Sequence, residues 1–440
     1  MVTVSGLAQD TPEAMAQAVR PIHGEQDLDR VLDQVANARL VLIGQACYGS
    51  HELNDLRGTL TRKLIAERGF AAVAIAGGWS EALRVDRYVR GNAGDESAAL
   101  ALGGFDRFPT WMWRNGDVAA FVEWLATWNA QRPADQRAGF YGLDLYSLYV
   151  AIRSLLSFLD DADPAAARAA RERYASLDHV ADSAGDTAAA LPLSPGHEDE
   201  VVAQLIEMQR RHIARSGRTP SGDGWFHPMQ VAQVPRNAEA YYRQVLRGRV
   251  AWTARDAQMA DTLDMLADQL GAPGRPAKLV VWAHNRHVGD ARATAMGGAG
   301  EISLGQVMRE RHPDDTALIG MTTHGGAVTC ARGWDEPTQV TTIPPSLAGS
   351  WEHLFHASEL SRLYVTAAAL RSAVGERGER LQRSIGVVYR AERESQQHYH
   401  LARLADEFDV ILHVDTTRAT AAAERSTGPI EPIDLPPRRP

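Results

Sequence analysis

Cysteine and lysine are nearly missing: these 440 residues hold two cysteines and two lysines against 44 arginines. Two cysteines, Cys47 and Cys330, make no disulfide framework. No unbroken apolar stretch exceeds the ten residues Phe70 to Trp79, where a membrane-spanning helix needs roughly twenty. The opening MVTVSGLAQDTPEAM has neither the basic nor the apolar segment of a secretory leader. A cytoplasmic protein with no membrane partner is therefore expected. Positive charge is also in deficit, 46 Lys and Arg against 55 Asp and Glu, which argues against nucleic acid as a partner. The arginine-for-lysine habit and alanine runs such as AAARAARERYA reflect a GC-rich, actinobacterial type of codon usage, not chemistry.

What is present is ordinary globular material, 45% apolar and 23% charged. Eight short runs read as strands: 40–44, 70–77, 138–145, 278–284, 316–323, 363–368, 383–390 and 409–415. Most are continuously apolar, the pattern of strands covered on both faces. Between the first two lies LNDLRGTLTRKLIAERG, with leucines at 53, 56, 60 and 64 and Gly69 as a helix stop. Strand, helix, strand in that order predicts a right-handed crossover and an α/β sheet. Residues 151–270 hold helical periodicity and no good strand, so a helical subdomain is expected to roof a pocket. The expected division is 1–150 and 276–420 as the two parts of the α/β core, 151–275 as the helical insertion, and 421–440 as a flexible tail.

Ligands of open α/β sheets collect at the carboxyl ends of strands. There the chain carries Gln45, Cys47, Tyr48, His51 and Glu52, then Trp79, then Asp144 and Tyr146, then His284 and His287, and finally His324. The motifs GQACYGSHEL, LTRKLI, WSEALRVDRYVRG, FPTWMWRN, FYGLDLYSLY, ARDAQMADTL, VVWAHNRHVGDARATAMG, TTHGGAVT, SWEHLFH and HYHLARLADEFD follow one another in an order that resembles the erythromycin esterase family. That resemblance implies an α/β fold with a mixed central β-sheet flanked by helices and an inserted helical subdomain, and hydrolysis of a macrolide lactone by a histidine-activated water, with no obligatory metal. Its GEATHG histidine falls on Tyr48, one glutamate on Gln45, and the glutamate after the second strand on Ala76. Arg57, His51, Glu52, His284 and His287 are retained.

A water-activating base needs a pKa near the working pH, which histidine has and tyrosine, near 10, does not. The resemblance therefore implies the family fold without its hydrolytic machinery. His284 or His287 is expected to move the proton, Tyr48 to assist, and Arg57 to hold an oxyanion, with His51 alongside. The competing assignment for the two histidines is scaffold hydrogen bonding, and a third metal ligand is missing. Gln45, Cys47, Glu52, Trp79, Trp111, Trp113, Asp144, Tyr146 and His324 are the expected substrate contacts. For the tryptophans and Cys47 the alternative is simple core packing. His398 and His400 fall at an expected helix start. Three functions remain open: a non-hydrolytic enzyme of natural-product biosynthesis, a non-catalytic binder of macrolide-like compounds, and a hydrolase with Cys47 as nucleophile. The partner is a large, partly apolar small molecule, and no cofactor or metal is expected.

Overall fold

The computed structural model describes residues 12–144 and 251–423, apart from Ala93, Glu376 and Arg377, together with two isolated helical positions, Asp160 and Arg168. The expected helical insertion and Tyr146 lie almost wholly outside the described residues. The chain builds a nine-stranded sheet in the order β1–β8–β11–β6–β2–β5–β3–β4, with β7 paired to β6. These strands are β1 (Arg20–Pro21), β2 (Leu40–Ile43), β3 (Ala72–Gly78), β4 (Gly139–Asp144), β5 (Leu279–Trp282), β6 (Thr316–Ala331), β7 (Thr338–Ile343), β8 (Arg362–Thr366) and β11 (Val410–Thr417). β9 (Arg380–Arg383) and β10 (Tyr399–Ala402) form a separate antiparallel pair. Among the described residues the helices of six or more residues are α1 (Pro12–Ala18), α2 (Leu28–Gln34), α3 (His51–Arg68), α4 (Trp79–Val89), α5 (Gly116–Ala130), α6 (Ala251–Leu270), α7 (Leu304–Arg311), α8 (Trp351–His356) and α9 (Ala367–Val374).

The six strands from β11 to β4 run parallel, and β7, β8 and β1 pair antiparallel. Every residue of β2, β4 and β5 is buried, which explains their uninterrupted apolar sequence. Helix α3 forms as its leucine spacing predicts. Ser50 caps its start, and Gly69 ends it at a left-handed φ of 72°. Leu53, Leu56, Leu60 and Leu64 are at most 3% exposed, each contributing roughly 1.5–3 kcal/mol of apolar burial. At Gly44 the chain leaves β2 so tightly against Asn285 that a Cβ would overlap the asparagine side chain. This close approach brings the turns after β2 and β5 together.

Three local expectations are corrected. The segment 383–390 is not a strand beyond Arg383. Its apolar residues make single bridges, Ile385 to Cys47 and Val388 to Ala331, and serve as packing between the turns. His400 lies in β10 and His398 just before it, not at a helix start. β6 runs on through His324 to Ala331, where its second half pairs with β7.

Candidate active site

Two buried networks stand side by side at the carboxyl edge of the parallel strands. The first centres on His287, which follows β5. Its Nδ1 lies 2.7 Å from Asp256 Oδ1, and its Nε2 lies 3.2 Å from Nη1 of Arg255. A guanidinium only donates, so Nε2 accepts and the imidazole proton sits on Nδ1, donated to Asp256. Asp256 is held in turn by the backbone N–H of Leu304 at the start of α7. Arg255 also donates through Nε to Asp144 at the end of β4, 3.0 Å, and through Nη2 to the carbonyl of Ala76 on β3. The side chains of Arg255, Asp256, His287 and Asp144 are all no more than 4% exposed. Adjacent α6 residues thus tie together the ends of β3, β4 and β5.

Arg255 and Asp144 of this network line a small open cleft that encloses about 50 Å³. Ala76, Gly77, Gly78, Asp144 and Arg255 line one side. Phe105, Phe108, Pro109, Met112 and Trp113 form an apolar wall, and Glu81 and Arg107 add charge. A dominant apolar wall with a few convergent polar groups is the usual make-up of a small-molecule site.

Trp113 joins the cleft to the second network. Its ring meets Tyr48 edge-on, centroids 6.5 Å apart, and lies 5.4 Å from the Arg57 guanidinium. Arg57 is fully buried, with its cation 4.5 Å from the Trp282 ring. Nη2 donates to Asn54 Oδ1, while Nε and Nη1 have no partner among the described residues. Among the described residues no carboxylate pairs with it, and burial lowers its pKa to about 9. Gln45 is equally buried, and neither polar atom of its side chain is hydrogen-bonded among the described residues.

The structure gives several expected site residues other tasks. Tyr48 and His284 do come together, with rings 5.2 Å apart. However, both nitrogens of His284 are engaged by backbone. Nδ1 accepts from Arg286 N–H, capping the short turn Asn285–Val288, and Nε2 faces the carbonyls of Ala46 and Ile385. Burial lowers its pKa to about 3, so it stays neutral and structural. His51 is part-exposed and paired with Asp117, 2.6 Å away. Glu52 accepts from the backbone and guanidinium of Arg418, tying α3 to the end of β11.

Cys47 is corrected as nucleophile and as substrate contact. Its thiol is fully buried, and burial pushes its pKa up to about 12. Trp79 stacks on Tyr141, and of the three expected tryptophans Trp113 alone is among the residues lining this cleft. His324 lies on β6, separated from β3 by β2 and β5. Tyr146 lies outside the described residues. Arg255 and Asp256 were missed as site residues. The signal was the charged pair in ARDAQM, on an otherwise helical pattern 110 residues from Asp144.

Comparison with known proteins agrees with this architecture. A family model described as erythromycin esterase matches residues 65–417, opening just past the turn that carries Gln45, Cys47 and Tyr48. An Escherichia coli protein described as erythromycin esterase type II is 22% identical over 308 residues, 66% of this chain and 70% of its own. Among solved structures, a succinoglycan biosynthesis protein superposes with a TM-score of 0.65 at 19% identity, covering 96% of this chain and all of that one. An erythromycin esterase mutant in its open conformation gives 0.57 at 15% identity, covering 91% and 96%. A sheet of this order and a family match over most of its length lead to one assignment: the chain belongs to the erythromycin esterase family.

Proposed function

We propose that this protein is a natural-product enzyme that uses the esterase scaffold for acid–base chemistry without histidine-activated water. The observation that carries the proposal is the Asp256–His287–Arg255–Asp144 chain opening onto the cleft floor. Arg255 reaches the cleft as a fixed cation that suits a ligand carbonyl or developing oxyanion. When a ligand takes up Nη1, His287 Nε2 is released as a proton acceptor, and Asp256 stabilises the imidazolium that results. The other half of the argument is what stands after β2 and β3. Where the resemblance places a histidine and two glutamates, the chain has Tyr48, Gln45 and Ala76. Without that base, cyclisation, elimination or isomerisation of a partly apolar metabolite fits the site better than hydrolysis.

A binding role is the second reading. It is favoured by His284, whose two ring nitrogens are both held by backbone. The test incubates the purified protein with erythromycin and with macrolide-like metabolites and follows substrate mass. An isomer or a dehydrated product that disappears in His287→Gln supports the enzyme. Saturable binding with no change in mass supports the binder. Ring opening by gain of one water, lost in His287→Gln, overturns the non-hydrolytic reading.

A further inference from the structure

The same edge of the sheet carries a second group of reactive side chains, at the ends of β6 and β11. His324 on β6, Asp415 on β11 and His356 at the end of α8 each offer one ligand atom, all within 4.8 Å of one another. We propose that these three, with His413 behind them, bind a zinc-class divalent cation at a site independent of the cleft.

One hydrogen bond already runs inside the cluster, His356 Nδ1 to Asp415 Oδ1 at 2.7 Å, and a bound ion would replace it. His324 Nδ1 is 2.7 Å from Ser346 Oγ, which fixes the ring and leaves Nε2 available, as an outer partner does for a metal-bound histidine.

His413 supplies the second, independent observation. It is fully buried, its Nδ1 is 2.9 Å from Thr322 Oγ1, and its Nε2 has no hydrogen-bond partner among the described residues. That orphaned nitrogen lies 3.7 Å from Asp415 Oδ1, too far for a hydrogen bond. Metal–ligand bonds of about 2.0–2.2 Å place two ligands roughly 3.3 Å apart at a tetrahedral angle and about 4 Å apart in line. The gap is the width of a coordinated ion.

Nitrogen donors with one carboxylate select zinc and its neighbours over calcium or magnesium, which take oxygen ligands. The nearby cation Arg383 is compensated, paired with Glu394 at 2.9 Å and donating to the carbonyls of Thr323 and His324. The rings of His324 and His356 are parallel, 3.6 Å between centroids. In-plane lone pairs of parallel rings do not converge, so His356, exposed on the outer side, must swing on binding.

The test titrates Zn²⁺ and Co²⁺ into the tag-free, chelator-treated full chain by calorimetry and visible spectroscopy. Wild type should bind one ion per chain, with Co²⁺ giving the intense visible bands of a low-coordinate nitrogen site. His356→Ala, at an exposed position where folding is retained, should weaken binding at least about 10-fold, and Asp415→Asn should do likewise. His312→Ala, in a surface pair with Asp264, should leave binding unchanged. No binding by wild type, or equal binding by wild type and His356→Ala, overturns the proposal.

Discussion

His287 and Asp256 form a buried pair, Nδ1 to Oδ1 2.7 Å, in which the carboxylate also accepts from Leu304 N–H and the imidazole accepts from Arg255. The two residues lie 31 positions apart in sequence, one in the turn after β5 and the other in α6. The proton is consequently confined to Nδ1, and the basic nitrogen is the one directed toward the guanidinium that lines the cleft.

Asp256→Asn should preserve the fold, because the amide is nearly the same shape and still accepts from Leu304. It should lower turnover by about 10²–10⁴-fold, since an amide neither enforces the tautomer nor stabilises the imidazolium. Asp256→Ala should in addition lose about 2–5 kcal/mol of stability by stranding two buried N–H donors. Urea unfolding beside steady-state kinetics separates the two effects. Equal turnover by Asp256→Asn and wild type would remove the dyad from the mechanism.

Among the described residues Arg57 is a buried cation with no carboxylate in hydrogen-bond contact, and two of its nitrogens have no partner. Such a group costs folding free energy. Arg57→Met, which keeps the stem between Trp113 and Trp282, should therefore raise stability by about 1–3 kcal/mol while weakening ligand binding. A lower urea midpoint would show that the guanidinium is structural instead.

Acid should destabilise the protein below about pH 6.5. His284, His398 and His400 are held neutral by burial, their pKa values lowered to about 3. In the unfolded chain the same groups titrate near 6.5, so between these limits the unfolded state binds more protons and stability falls with pH. The slope is about 1.4 kcal/mol per pH unit for each such histidine. Among the described residues His400 has no hydrogen-bond partner at either ring nitrogen, so His400→Leu should remove one proton from that slope without leaving an orphaned group. Unfolding midpoints between pH 7.5 and 5 measure this, and an unchanged slope in His400→Leu would refute it.

Periodicity and continuous apolar runs were enough to locate the parallel strands and α3, because burial on both faces of a sheet, or along one helix stripe, leaves a local pattern. Gly69 was legible for the same reason: a left-handed stop is a need of a single position, whereas the Ser50 cap emerged only from the structure. The residues at the strand ends were legible as a group, but their tasks were not. Whether His284 is a base or a cap depends on the carbonyls of Ala46 and Ile385 that fold onto it. Whether Cys47 is a thiolate depends on how completely the segment after Arg383 covers it. Arg255 and Asp256 acquire meaning only when α6 packs against β3, β4 and β5. The pairing of His413 with an unfilled gap to Asp415 likewise arises from register in three dimensions. Sequence patterns record what each residue buries; which charges meet is decided by long-range packing, where separation along the chain carries no signal.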